Sequence, residues 1–150
     1  MVPEKLRIVP MDHGDIPEIM ALEKNTLSAW SRKHLEDELQ QPKGFQFVAR
    51  NASSEKIQAV LCGRVVADEA EILKLSVAEN ARKKGVGYLL LDFVLNYCNN
   101  KGVENCYLEL RASNAAARNL YEKRGFITAG TRETYYEEPA EDAIFMRLKL

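Results

Sequence analysis

The chain is poor in the residues that build metal centres and disulfide frameworks. It has three cysteines, an odd number, and none of them stands in a Cys-x-x-Cys spacing. Its two histidines, His13 and His34, belong to no His-Glu-x-x-His or similar ligand pattern. The sequence therefore predicts no metal site and no disulfide framework. We expect Cys62, Cys98 and Cys106 to be small buried hydrophobic residues.

The chain also lacks a charge excess and a long hydrophobic run. The 21 basic and 22 acidic residues give a formal net charge of −1, without the basic excess of a nucleic-acid-binding domain. The longest apolar stretch, residues 89–95, contains Asp92 and is too short to span a bilayer. Residues 1–7 are too polar for a signal peptide, so we expect a cytoplasmic protein that binds neither nucleic acid nor membrane. At 150 residues we expect one domain, residues 1–150.

Periodicity and capping residues predict the element order β-α-α-β-β-β-α-β-α-β-β. Asp12 or Asp15 suits the N-cap of the first helix, and Ser31 suits that of the second. Polar residues 51–55 separate two apolar runs, which is typical of an antiparallel hairpin. This order predicts a mixed α/β fold, in which a central and mostly antiparallel sheet of about seven strands carries four helices on its two faces.

A basic turn with the sequence Arg-Lys-Lys-Gly-Val-Gly, residues 82–87, connects a predicted strand to a predicted helix. The first N–H groups of a helix have no partner inside the helix and can bind phosphate. Gly85 and Gly87 would let the backbone approach a diphosphate closely. Tyr88 and Leu89 follow the second glycine, which excludes a P-loop, and the glycine spacing does not fit a dinucleotide fingerprint. A diphosphate-binding turn and an ordinary solvated helix start are both compatible with these residues.

Three segments together resemble the GNAT acetyltransferase superfamily. They are the basic turn, residues 107–114 and residues 115–126. The last two contain the pattern Leu-Glu-Leu-Arg-x-Ser-Asn-x-x-Ala-x-x-Leu-Tyr-x-x-x-Gly-Phe, which is similar to that of protein N-terminal acetyltransferases. With residues 133–136 and 141–146, the chain resembles the bacterial ribosomal-protein-alanine N-acetyltransferases over nearly its full length. The resemblance implies a GNAT fold and direct transfer of acetyl from acetyl-CoA to an amine.

The resemblance also implies which residues bind acetyl-CoA. The strand before the basic turn would offer backbone groups to the pantetheine and to the thioester carbonyl, where an N–H group would stabilise the oxyanion. The turn would hold the CoA diphosphate. Asn114 corresponds to a cofactor-contacting asparagine, although it also suits a helix N-cap. The implied residues are Leu75, Ser76, Val77, Arg82, Lys83, Lys84, Gly85, Val86, Gly87, Tyr88 and Asn114.

Glu109 corresponds to the general base of the family and Tyr121 to its general acid. An α-amine has a reference pKa of about 7.7–8.0, so a carboxylate removes its proton more readily than that of a lysine near 10.4. A tyrosine near 10 can protonate a departing thiolate, whose closest model, cysteine, is near 8.5. Without the surrounding pattern, Glu109 would be interpreted as a solvated strand residue and Tyr121 as a core residue. For Arg111 the alternatives are a contact with CoA and a structural ion pair, of which we expect the ion pair.

Three aromatic residues correspond to the walls of the peptide groove in N-terminal acetyltransferases. Trp30, between the first two helices, would form one wall, and Tyr135 or Tyr136 would form the other. Ordinary packing of these aromatic side chains is the alternative. Four acidic residues nearby would suit a basic protein tail, or would simply be solvated. They are Glu137, Glu138, Glu141 and Asp142.

The sequence thus predicts an acetyl-CoA-dependent N-acetyltransferase that modifies a protein N-terminal α-amine. The N-terminal alanine of a ribosomal protein is the favoured acceptor. The alternatives are a broader N-terminal, lysine or small-amine acetyltransferase, and a non-catalytic acyl-CoA-binding module. A binding module needs neither an acid nor a base, so Glu109 and Tyr121 favour the enzyme.

Overall fold

The computed structural model describes residues 5–150, in which seven strands and four α-helices follow the predicted order. The strands are β1 (Leu6–Pro10), β2 (Gly44–Asn51), β3 (Ile57–Val66), β4 (Glu69–Val77), β5 (Asn105–Arg111), β6 (Ile127–Glu137) and β7 (Ala140–Lys149). The helices are α1 (Ile16–Glu23), α2 (Arg32–Leu39), α3 (Val86–Asn100) and α4 (Ala115–Arg124). Residues 1–4, the first part of the polar segment that argued against a signal peptide, lie outside the described residues.

These strands form one sheet in the order β1-β2-β3-β4-β5-β7-β6. Neighbouring strands are antiparallel except for β4 and β5, which are parallel. The predicted mixed α/β fold with a mostly antiparallel sheet is therefore confirmed.

The two parallel strands, β4 and β5, separate before either of them ends. Their pairing begins at Glu69 with Asn105 and stops at Ile72 with Leu108, although the strands continue to Val77 and Arg111. Paired strands lie about 4.8 Å apart, so the loss of pairing means that the two strands diverge. They enclose a V-shaped cleft, which opens toward the end of β4.

Helices cover both faces of the sheet. On one face, α3 and α4 pack with buried side chains that include Leu90, Leu91 and Val94. On the other face, α1 and α2 pack through Ile19 and Leu35. A side chain near the cleft therefore points either toward α3 and α4 or toward α1 and α2, according to its position along the strand.

Ser31 caps α2 with its side chain as expected, whereas the side chain at the N-cap of α1 makes no capping hydrogen bond. Ser31 Oγ accepts a hydrogen bond from the His34 N–H at 3.0 Å. Asp15 occupies the N-cap of α1, but its carboxylate accepts a hydrogen bond from the Asp12 N–H at 2.9 Å and pairs with Arg50 of β2. Because the half-buried Arg50 pairs with the carboxylate, the Asp15 side chain anchors the helix to the sheet and does not cap it.

The three cysteines are buried and free, as the sequence analysis expected. No helix within residues 5–150 is long and apolar enough to cross a membrane.

Candidate active site

The cleft between β4 and β5 has an unpaired strand edge as one of its walls. Leu75, Ser76 and Val77 lie beyond the last β4–β5 pair, and each of them pairs only with β3. The edge that faces the cleft therefore offers backbone N–H and C=O groups to a ligand. An extended chain that carries amide groups, such as pantetheine, suits this edge.

A β-bulge reverses the side-chain directions at the end of β4. Ile72 is buried on the α3 side, and the register then shifts by one residue at Leu73. After the shift, Leu75 packs on the α3 side, whereas Lys74 and Ser76 contact Glu23 of α1. The polar residues of this strand thus face a polar partner, and the backbone of Ser76 remains on the cleft edge.

Glu23, Lys74 and their hydrogen-bond partners form a buried network beside the cleft. Glu23 is fully buried and pairs with Lys74, whose residue is 6% exposed. The Glu23 carboxylate also accepts hydrogen bonds from Ser76 Oγ at 2.6 Å and from the Trp30 N–H at 3.4 Å. Lys74 Nζ donates to the Ser28 carbonyl at 2.9 Å. This network was not predicted from the sequence, although a lysine in a strand of the core is a signal for a buried partner.

The basic turn has the backbone of an anion-binding helix start. Lys83 and Gly85 both have positive φ angles, 62° and 82°, and Gly85 is the N-cap of α3. The Leu89 N–H donates to the Gly85 carbonyl at 3.0 Å, so the N–H groups of residues 86–88 precede the first intrahelical bond. Arg82, Lys83 and Lys84 are exposed around them. This geometry suits a diphosphate.

The two glycines of the turn are required for different reasons. Gly85 needs its left-handed φ, and a Cβ there would meet nothing within 4 Å. At Gly87, which is buried, a Cβ would lie 3.1 Å from Val77 Cγ2 and 3.3 Å from Leu120 Cδ2. Gly87 therefore lets the start of α3 pack closely against β4 and α4, a requirement that the sequence analysis did not foresee.

We expect Gly85→Ala to lower the free energy of unfolding by about 1–2 kcal/mol, the cost of a left-handed conformation for a residue with a Cβ. Gly130→Ala is the matched control, because a Cβ there also meets nothing within 4 Å and its φ is not left-handed. The control should be unchanged or slightly more stable. Urea unfolding measures both, and equal stability of the two variants would contradict the explanation.

Asn114 caps α4, and its Oδ1 accepts a hydrogen bond from the Ala117 N–H at 3.2 Å. The helix-capping interpretation of this residue is thus correct. Its side-chain amide nitrogen stays available for a ligand, so a contact with the cofactor is still a prediction.

Glu109 lies one residue beyond the last β4–β5 pair, at the mouth of the cleft. It is exposed, on the face of β5 opposite to buried Leu108 and Leu110. Tyr135 and Tyr136 lie near it on β6. The charge of the Glu109 carboxylate and a hydrogen bond to it raise the pKa of Tyr135. Burial and the same charge raise the pKa of Tyr136 to about 12.

A second carboxylate, that of Glu71, lies on the same face of the sheet. Glu71 pairs with Tyr107 of β5, two residues before Glu109, so the two glutamates are diagonal neighbours. Burial and the charge of Glu109 raise the pKa of Glu71. Glu71 was not predicted as a site residue, because the register of two strands separated by α3 is not visible in the sequence.

Tyr121 lies on the opposite face of the sheet, in the core that α3 and α4 cover. It is 6% exposed and contacts Phe126 edge to face, with ring centroids 5.6 Å apart. Burial raises the pKa of Tyr121, so the phenol keeps its proton at neutral pH. Glu109 and Tyr121 thus lie on opposite faces of the sheet, and the proton-donor role of Tyr121 is still a prediction.

Arg111 of β5 is bound to the β6–β7 hairpin beside Glu109. The Arg111 guanidinium lies 4.4 Å from the centroid of the Tyr136 ring and donates to the carbonyls of Glu138 and Pro139, at 3.2 and 3.0 Å. It also pairs with Glu141 at 3.4 Å. The predicted structural role of Arg111 is therefore correct.

Only two of the four acidic residues near Tyr135 and Tyr136 are free to form an acidic rim of the groove. Glu141 is paired with Arg111 and accepts a hydrogen bond from the Ser113 N–H. Asp142 accepts one from the Thr134 N–H at 2.8 Å. These two side chains hold the hairpin in place, and Glu137 and Glu138 are left exposed.

The Trp30 side chain packs between α2 and β4. Its ring stacks on that of His34, with centroids 4.0 Å apart, and lies 4.6 Å from Lys74 Nζ. The ring is half-buried against the α1–α2 side of the core. The packing interpretation accounts for these contacts, and a contact between Trp30 and substrate is still a prediction.

A model of the acetyltransferase (GNAT) family matches residues 16–126. The chain belongs to this family. It is 37% identical over 100 residues to the ribosomal protein bS18-alanine N-acetyltransferase of Salmonella typhimurium, and 39% identical over 97 residues to that of Escherichia coli. The matches cover 65% and 63% of this chain and 68% and 66% of the relatives.

The fold is also similar to that of a solved relative. The crystal structure of the ribosomal-protein-S18-alanine N-acetyltransferase from Escherichia coli superposes with a TM-score of 0.87 at 32% identity, over 97% of this GNAT chain and 94% of that one. The predicted family and enzyme class are thus confirmed: the chain is an acetyl-CoA-dependent N-acetyltransferase. The cleft edge and the basic turn fit the pantetheine and the diphosphate of this co-substrate.

Proposed function

We propose that this GNAT enzyme acetylates protein N-terminal α-amines, with the N-terminal alanine of a ribosomal protein as acceptor. The observation that carries the proposal is the position of Glu109 at the mouth of the cleft, with Tyr121 on the other side. The names of the relatives support the acceptor. A cytoplasmic location follows from such an acceptor, and we propose no direct contact with nucleic acid or membrane.

The chain would bind acetyl-CoA through three parts of the cleft. The N–H groups of Val86, Gly87 and Tyr88, with the three basic side chains before them, would hold the diphosphate. The free edge at residues 75–77 would bind the pantetheine amides, and the Asn114 amide would add a contact. Acetyl-CoA supplies a thioester carbonyl as electrophile, and an N–H group of this edge would stabilise its oxygen as negative charge develops.

Glu109 would remove one proton from the α-ammonium group of the acceptor, directly or through one water molecule. The neutral amine attacks the thioester carbon, and a C–N bond forms. Tyr121 would give its proton to the sulfur as the C–S bond breaks, and the second proton of the nitrogen would pass through water to the resulting Tyr121 phenolate, which restores the phenol, while Glu109 returns its proton to solvent. The transfer is direct, so no residue of the enzyme becomes acylated.

The acceptor groove would lie on the face that carries Glu109. Tyr135 and Tyr136 would form one wall, and the segment between α1 and α2, with Trp30, would form the other. Glu71 and Glu109 give the floor a negative charge, which complements a positively charged amine and a basic protein tail.

The test is CoA release from acetyl-CoA with peptides that differ in their first residue, each compared with a copy blocked at the α-amine. We expect turnover only with free N-termini, and the most with alanine. Turnover that survives blocking would contradict the proposal and assign the acceptor to lysine. Binding of CoA without thiol release from any peptide would instead favour a binding module.

A further inference from the structure

The segment between α1 and α2, residues 24–31, is held by side chains. It contains no helix or strand in the structure, although it would form a wall of the acceptor groove. Thr26 bonds to the Glu23 carbonyl through its N–H at 2.9 Å and its hydroxyl at 3.0 Å. Ser28 and Trp30 are bound by Lys74 and by the Glu23 carboxylate. Three residues of the segment, Thr26, Ser28 and Trp30, are thus held by the two residues of one buried ion pair. Thr26 is bound by the backbone carbonyl of Glu23, and the other two by the charged side chains.

The same pair reaches the strand that borders the cleft. Lys74 belongs to β4, and the Glu23 carboxylate accepts the Ser76 hydroxyl. The ion pair therefore connects residues 75–77, the cofactor side of the site, with Trp30, the acceptor side. A pair of apolar side chains could fill this space, but it could not bind the Ser28 carbonyl, the Trp30 N–H and the Ser76 hydroxyl together.

The cost of burial indicates that the pair has a role beyond packing. Two charges removed from water gain little net stability even when they are well paired, and apolar replacements are often as stable. What a charged pair adds is a fixed geometry, because each charge orients several hydrogen bonds. Here those hydrogen bonds all end on the segment or on β4.

We propose that Glu23 and Lys74 are positioning residues, which fix the α1–α2 segment and Trp30 relative to β4 and so set the affinity for the acceptor. This inference rests on the proposed function, since it assumes that the segment forms a wall of the acceptor groove. The pair acts through Trp30 and Ser76 and does not touch the reacting atoms.

The test uses the double variant Glu23→Gln/Lys74→Met, which removes both charges and leaves no unpaired ion. We expect it to fold, with a urea midpoint close to that of the wild type. The KM for the peptide should rise about tenfold, the equivalent of one lost charge-assisted hydrogen bond, while the dissociation constant of acetyl-CoA stays within about twofold. If the pair had a purely structural role, the peptide KM and the dissociation constant of acetyl-CoA would either both change or both stay the same.

Two further measurements complete the test. Lys74→Arg keeps the charge and the donors, so its peptide KM should lie closer to the wild type than that of the double variant. Trp30 is the only tryptophan, and its fluorescence should become more accessible to acrylamide in the double variant. A folded double variant with an unchanged peptide KM and unchanged quenching would overturn the proposal. If the wild type acetylates no peptide, the proposed function fails, and the quenching still reports on the positioning of Trp30.

Discussion

Replacing Glu109 by glutamine is expected to lower kcat/KM for a free N-terminal peptide by about 10²–10⁴-fold at pH 7, the range of general base catalysis. Glutamine keeps the shape of the side chain and cannot accept the proton of the ammonium group. Glu109 is exposed at the cleft mouth, so the substitution leaves no buried group unpaired. Thiol release measures the rate, and the dissociation constant of acetyl-CoA should be nearly unchanged.

The deficit of Glu109→Gln should become smaller as the pH rises. The variant depends on the fraction of acceptor that is already neutral, and a free α-amine has a reference pKa of about 7.7–8.0. Below this pH, the rate of the variant should increase nearly tenfold per pH unit, and above it the rate should level off. A deficit that is the same at all pH values would indicate that Glu109 binds the acceptor and does not remove its proton.

Glu104→Gln is the matched control for this prediction. Glu104 is also an exposed glutamate, but it precedes β5 at the end far from the cleft. Its substitution should leave kcat/KM within about twofold of the wild type, as is usual for surface changes of this size. Wild-type turnover in Glu109→Gln itself would remove this residue from the mechanism.

Local patterns of the sequence predicted the elements and several side-chain roles. The helix start at Ser31, the alternation along β5 and the cap at Asn114 depend on residues within four positions of one another, where propensity and hydrogen bonding act directly. The family pattern around Glu109 and Tyr121 assigned the roles of general base and general acid to these two residues, which periodicity alone does not do. The fold class followed from the element order.

The parts of the site that were missed all depend on contacts between distant residues. The divergence of β4 from β5 is a property of their register, and these strands are separated by the whole of α3. A single extra residue at Leu73 turns Lys74 and Ser76 toward α1, because a one-residue shift exchanges the two faces of a strand. Gly87 is fixed by contacts with Val77 and Leu120 that only the packed structure brings together.

Lys74→Met alone is expected to lower the free energy of unfolding by about 3–5 kcal/mol. The Lys74 and Glu23 side chains are 3% and 1% exposed, so the substitution leaves the Glu23 carboxylate in the core without its cation. Hydrogen bonds from Ser76 and Trp30 remain, but they do not balance a full charge. Urea unfolding followed by circular dichroism measures the loss.

Lys33→Met gives the matched comparison, because it also removes a lysine from a carboxylate pair. Lys33 and Asp37 are one helical turn apart, and their side chains are 84% and 57% exposed. Water solvates both groups after the substitution, so the change should be no more than about 0.5 kcal/mol. Equal losses in the two variants would mean that burial does not determine the cost. A large loss of unfolding free energy in Lys74→Met, recovered when Glu23→Gln is added, would instead assign that loss to the unpaired carboxylate. The contribution of the pair to the active site would then be the hydrogen-bond geometry that it fixes, and not stability.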